Sequence, residues 1–205
     1  ELELGDYESA KADFDQAISM DPKNYDRLIE IYEALAAHGY REVGQEYLQN
    51  VLDTAKQLDA YDSGRIYYYL GEYQKAYLAL DEARDKGGAD SYLYLGRAYA
   101  ATGDYNYASS VYNNYLSKQG PNAEIYNELG LCEMAKKEYQ NALAAFQAGK
   151  QIEGNSLMQT LCFNEIVAYE YLEDYQQAEV LMNAYLQNYP DDQTAIREQQ
   201  FLSTR

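Results

Sequence analysis

A small residue recurs along this chain at Ala10, Gly44, Ala76, Ala108, Ala142 and Ala178, at intervals of 34, 32, 32, 34 and 36 residues. Four residues after each stands a large apolar side chain: Phe14, Leu48, Leu80, Tyr112, Phe146 or Met182. Three further on come Ala17, Val51, Ala83, Tyr115, Gly149 and Tyr185. Steps of four and then three keep these positions on one face of a helix, so every period contains a helix that buries the same stripe. Such regularity restricts the chain to stacked copies of one supersecondary unit, because no single copy can bury its apolar face alone.

Three residues before the small position an aromatic recurs as Tyr7, Tyr73, Tyr105, Tyr139 and Tyr175, with Arg41 the exception beside Tyr40. Gly5-Asp6, Gly71-Glu72 and Gly103-Asp104 come just before it. Glycine tolerates the left-handed backbone that closes a helix, and an acid favours the start of the next one, so each unit is two helices. The first helix has its own pattern, clearest in Tyr92, Leu95, Gly96 and Tyr99, repeated in Tyr126, Leu129 and Gly130, and echoed by Gly64 and Tyr67. A glycine inside a helix costs about 1 kcal/mol relative to alanine. Its recurrence at Gly64, Gly96 and Gly130 therefore predicts a neighbouring helix pressed against it. Asp21-Pro22, Gly120-Pro121 and Tyr189-Pro190 end units, since proline cannot continue a helix.

These residues resemble the tetratricopeptide repeat family, whose unit is about 34 residues of helix-turn-helix. The resemblance spans nearly the whole chain. It implies an all-α, right-handed superhelical solenoid forming a single domain over 1–205, with about five full repeats. The predicted boundaries are a leading half-repeat at 1–22, repeats at about 25–56, 57–88, 89–122, 123–158 and 159–192, and a capping helix at about 193–203. Gln199 and Gln200 suit the polar outer face such a cap needs. The half-repeat is expected to belong to a longer array or an interrupted first repeat. Tyr32 and Ile166 in place of the helix glycine, and Glu133 in place of the aromatic, depart from the pattern.

A formal net charge of -18 repels phosphate backbones and argues against nucleic acid or anionic membrane surfaces as partners. No apolar run approaches the roughly 20 residues of a membrane span. The opening Glu1-Leu2-Glu3 lacks a methionine, which points to an N-terminal segment removed. The acidic, tyrosine-rich style is similar to repeat proteins of Gram-positive bacteria, some of them exported lipoproteins. A cytoplasmic location and export with lipid anchoring both stay open.

Catalytic chemistry finds little to work with. His38 is the one histidine and sits at a helix C-terminus before Gly39, suited to binding helix carbonyls. Cys132 and Cys162 lie among apolar residues, where cysteine serves as a small hydrophobe; a disulfide between units or a reactive thiol is the other reading. There is no HExxH, no paired CxxC and no phosphate-binding glycine loop, and Gly87-Gly88 reads as a linker. The expectation is no enzyme, no metal and no cofactor.

The resemblance implies that the first helices line a concave groove where the family holds peptides or partner segments. Seven residues on that face form the candidate site: Tyr61, Arg65, Tyr68, Tyr94, Arg97, Asn127 and Asn164. Arg65 and Arg97 stand one repeat apart in a chain with 16 basic residues against 34 acidic ones. Arginine offers a planar fork to carboxylates and stacks on tyrosine, which suits an extended partner segment. The alternative is that each arginine pairs with a local acid such as Asp62 or Asp90. Asp26, Glu30 and Glu33 stand where a basic clamp for acidic peptide tails would need other residues, which argues against that mode. Residues 151–196 hold eight carboxylates and no lysine or arginine, either a solvated surface or a docking face for a basic partner. The expected function is a non-catalytic protein-protein interaction scaffold. Two other readings stay open: a sensor or positioning module of a larger protein, and an array that self-associates end to end through the helix bearing Phe14.

Overall fold

The computed structural model describes residues 2–84, 86 and 88–205, and among these it contains twelve α-helices and no strand. Glu1 and Gly87, which figured in the reading of the N-terminus and of the linker, lie outside the described residues. The chain divides into two compact units, Glu1–Lys86 and Gly87–Arg205. The first holds α1 (Tyr7–Met20), α2 (Tyr25–Ala37), α3 (Arg41–Thr54), α4 (Ala60–Tyr69) and α5 (Tyr73–Glu82). The second holds α6 (Gly88–Ala101), α7 (Tyr105–Gln119), α8 (Ala123–Ala135), α9 (Tyr139–Lys150), α10 (Met158–Tyr171), α11 (Tyr175–Asn188) and α12 (Gln193–Leu202). Within each unit every helix packs on the next in sequence, and α6 also touches α8, so first helices of neighbouring repeats meet.

Local chemistry explains the helix ends. Asp6, Asn24, Asp59, Asp104, Asn122 and Asp174 each accept the backbone N–H three residues on, at 2.8–3.1 Å, satisfying a donor that has no partner inside the helix. The turn inside each hairpin is built the same way throughout. Tyr40, Glu72, Asp104, Glu138 and Asp174 donate their N–H groups to the carbonyls of Leu35, Tyr67, Tyr99, Glu133 and Tyr169 at 2.8–3.1 Å, closing the helix with a six-to-one bond. The residue before each donor must take a positive φ. Gly71 and Gly103 do so without strain, at 78° and 84°. Lys137 and Glu173 hold the equivalent turns at 65° and 61° with a side chain in place.

Packing answers the question the helix glycines raise. A Cβ added to Gly64, Gly96 or Gly130 would overlap Leu80, the Tyr112 ring or the Phe146 ring respectively, each fully buried. In each case the large residue stands sixteen positions later, on the second helix of the hairpin. Tyr32 breaks this rule opposite Leu48, and the space comes from Gly44, where a Cβ would stand 2.9 Å from Tyr32 Cδ2. Ile166 breaks it opposite Met182; both join one buried cluster with Ala178, Tyr185, Ala195 and Leu202, and the unbranched thioether adapts to the branched neighbour. Glu133, at an aromatic position, is buried and paired with Lys136, which donates to Glu133 Oε1 at 2.7 Å and to Ser109 Oγ at 3.3 Å. Ala195 and Leu202 are the buried residues of α12, and Gln199, half-buried between them on the same face, donates to Asn183 at 2.6 Å.

Candidate functional site

In the first unit, three candidate residues lie on α4. Arg65 is buried, with its guanidinium 4.3 Å from the Tyr61 ring centroid. Its Nη1 donates to Asp26 Oδ1 on α2 and its Nη2 to Asp62 Oδ1 on its own helix, both at 2.5 Å. Burial alone would disfavour the charge, but the hydrogen bonds to Asp26 and Asp62 more than offset it and hold the guanidinium protonated. Burial also pushes the Asp62 carboxyl up, against the opposing pull of Arg65. A second tie between the same helices runs from Tyr69 Oη to Glu33 Oε1 at 2.6 Å. Tyr68 meets Tyr69 edge-on at 5.4 Å between centroids and Tyr73 of α5 at 5.8 Å.

In the second unit, Arg97 on α6 lies 6.0 Å from the Tyr94 ring centroid. It reaches across to α8, where Nε and Nη2 donate to Glu128 Oε1 at 2.9 and 2.7 Å and Nη2 to Glu124 Oε1 at 2.9 Å. Burial works against its charge, and Glu128 and Glu124 restore it. Its side chain keeps 27% of its surface exposed, against 8% for Arg65. One repeat further on, Asn164 Nδ2 on α10 donates to Asn127 Oδ1 on α8 at 2.9 Å. Among the described residues no side chain takes Asn127 Nδ2 or Asn164 Oδ1, so this pair retains one donor and one acceptor. Such a set can pair with the backbone of an extended peptide.

The structure thus joins Tyr61 with Arg65, Tyr94 with Arg97 and Asn127 with Asn164, and turns Tyr68 toward other tyrosines. Arg65 pairs with the local acid Asp62, as the alternative reading anticipated, while Arg97 pairs with Glu124 and Glu128 of α8. Asp62 was legible as an i,i+3 neighbour, whereas Glu124 and Glu128 belong to the next first helix and become partners only through packing.

Other polar groups escaped sequence reasoning. Glu165 on α10 is buried, pairs with Lys150 and accepts from Gln147 Nε2 at 2.9 Å. Glu170 on the same helix has a buried Oε1 without a donor. Burial, then the nearby charge of Glu198 on α12, pushes its carboxyl up to about 7. A protonated Glu170 can donate to Glu198; two ionised carboxylates cannot share a hydrogen bond. The departure of Glu133 from the aromatic pattern is the one sequence signal that could have exposed a buried carboxylate.

His38 caps α2, with Nδ1 2.8 Å from the Ala34 carbonyl oxygen. Both cysteines are free, Cys132 buried and Cys162 half-buried, and burial pushes the Cys132 thiol up to about 12. Among the described residues no three His, Cys, Asp or Glu side chains gather as metal ligands, and no helix is long and apolar enough to cross a membrane.

Family models described as tetratricopeptide repeat match residues 61–108, 95–155 and 2–24, together more than half of the chain. No curated protein matches it in sequence. Among similar solved structures is a chain of the APC/C hetero-tetramer Cut9-Hcn1, at a TM-score of 0.65 and 17% identity; the match covers 99% of this chain and 40% of that one. YrrB, described as a TPR protein with an unusual peptide-binding site, matches at 0.59 and 18% identity over 91% of this chain and 97% of its own. The second TPR domain of human RPAP3, in complex with the HSP70 peptide SGPTIEEVD, matches at 0.52 and 17% identity over 58% of this chain and 97% of its own. At these identities the likeness is one of fold.

Proposed function

The chain belongs to the tetratricopeptide repeat family, and on that premise we propose that it is a non-catalytic scaffold holding an extended segment of a partner protein on its first-helix faces. Members of the family commonly mediate protein-protein interactions, and peptide recognition is named for both YrrB and the RPAP3 domain. The contact residues in this proposal are Tyr61, Arg65 and Tyr68 in the first unit and Tyr94, Arg97, Asn127 and Asn164 in the second.

The observation that supports it best is the Asn127–Asn164 pair. It ties α8 to α10 through one hydrogen bond and leaves a donor and an acceptor spare, with the partly exposed Arg97 reaching the same helix α8. Arginine and tyrosine on such a face supply the anchors that dominate interface energetics.

Peptides selected from a displayed random library on the wild-type chain supply the test. The affinity of the best peptide should fall about tenfold in Asn127→Ala with Asn164→Ala, and further in Arg65→Ala with Arg97→Ala, as loss of interface anchors does. Circular dichroism checks that each variant folds. Unchanged affinity in both variants would refute the assignment.

A further inference from the structure

A cavity of about 330 Å³ opens in the second unit among α9, α10 and α11, and none of the residues proposed above lines it. Its floor is Glu165, Ile166 and Tyr185, all buried, and Met158, Cys162, Leu181 and Tyr189 form apolar walls. Ala184, Asn188 and Lys150 stand at the mouth.

The polar groups of this cavity are already paired. Lys150 is held by Glu165, whose other oxygen accepts Gln147. Tyr185 Oη donates to Asp192 Oδ2 at 2.7 Å and accepts from Gln159 Nε2 at 3.1 Å. What remains unsatisfied is apolar surface, in a volume at the low end of ligand pockets.

The surroundings narrow the occupant. Lys150 and Met158 bracket the loop 151–157, and Tyr189 precedes Pro190-Asp191-Asp192, so both loops lie at this edge. Glu153 and Asp191 on them are exposed and make no ion pair among the described residues. Residues 151–196 hold no lysine or arginine, and the one cation at the mouth is spent on Glu165. An apolar hole flanked by two loops that carry uncompensated carboxylates favours a cationic partner.

We propose that this cavity docks a basic segment of a partner protein, one apolar side chain entering between α10 and α11 while flanking lysines or arginines meet Glu153 and Asp191.

Cys162 in the wall serves as the reporter and the buried Cys132 as the silent control. Alkylation of the full chain by the neutral reagent N-ethylmaleimide, followed by mass spectrometry, is measured with the acetylated, amidated peptides RRLRR, RRSRR and EELEE. RRLRR should slow modification of Cys162 about fivefold at 50 mM salt and far less at 500 mM, as a screened contact does. Anisotropy of fluorescein-labelled RRLRR supplies a second reading. Affinity should drop about tenfold in Ala184→Phe, which plugs the mouth, and about fivefold in Glu153→Gln with Asp191→Asn on the exposed loops, as loss of an anchor and of rim charge do. Equal effects of RRSRR or EELEE, or undiminished affinity in Ala184→Phe, overturn the proposal. So does protection of Cys162 on raising protein concentration alone, which assigns the cavity to a second copy.

Discussion

Arg65 in the first unit and Arg97 in the second stand one repeat apart in sequence, yet the structure commits them to different degrees. Arg65 is enclosed, clamped by Asp26 and Asp62 and covered by Tyr61. Arg97 on α6 reaches Glu124 and Glu128 on α8 and keeps a quarter of its side chain in solvent. Position in a repeat therefore selects the residue type, while burial and the facing helix decide whether its charge is structural or accessible. The hairpin turns vary as well: glycine in α2–α3, α4–α5 and α6–α7, a lysine and a glutamate in α8–α9 and α10–α11.

The sharpest test removes one acid partner from each guanidinium in turn. Asp62→Asn should destabilise the chain by about 2–3 kcal/mol, less than a fully orphaned buried charge because Asp26 remains. Glu128→Gln, beside the more exposed Arg97 and with Glu124 intact, should cost about 1 kcal/mol. Urea unfolding measures both, and equal costs would erase the distinction.

A smaller effect comes from pH. Glu170 ionises near 4.5 in the unfolded chain and at about 7 in the fold, so the folded state binds its proton more tightly. The Glu170 contribution to stability is full below 4.5 and is lost as pH rises through 7. Since Glu170 is only partly buried, solvent screening limits the loss between pH 5 and 8 to about 1–2 kcal/mol. Unfolding at the two pH values, with amide exchange followed in α10 and α12, should show this decline, and Glu170→Gln should flatten it.

The least effect concerns the turns. Lys137→Gly and Glu173→Gly should each stabilise by about 0.5–1 kcal/mol, the relief of left-handed strain exceeding the entropy glycine loses. Gly71→Ala and Gly103→Ala should destabilise by about 1 kcal/mol for the reverse reason. A rise in melting temperature for the first pair and a fall for the second would sustain the contrast; no change in either would show the turns to be equally relaxed.

Much of the fold was legible because a repeat states the same instruction several times. Gly64, Gly96 and Gly130 announced close helix contacts, and Leu80, Tyr112 and Phe146 are the residues that fill them. The compensation of Tyr32 by Gly44 was not legible, since it depends on which atoms of two large side chains compete for one space. The candidate face was readable as a list of positions. Its electrostatics were not, because Glu124 and Glu128 are 27 and 31 residues from Arg97.

Spacing, glycine placement and capping residues by themselves determined that this chain forms paired helices with a repeated apolar stripe, since these are local consequences of backbone sterics and helical period. Only tertiary structure decided that Arg65 is enclosed while Arg97 is not, that Glu165 is neutralised by Lys150, and that Glu170 meets Glu198. Burial and charge separation are properties of the packed chain: the energy of a carboxylate depends on the dielectric and on neighbours that folding brings within a few ångströms.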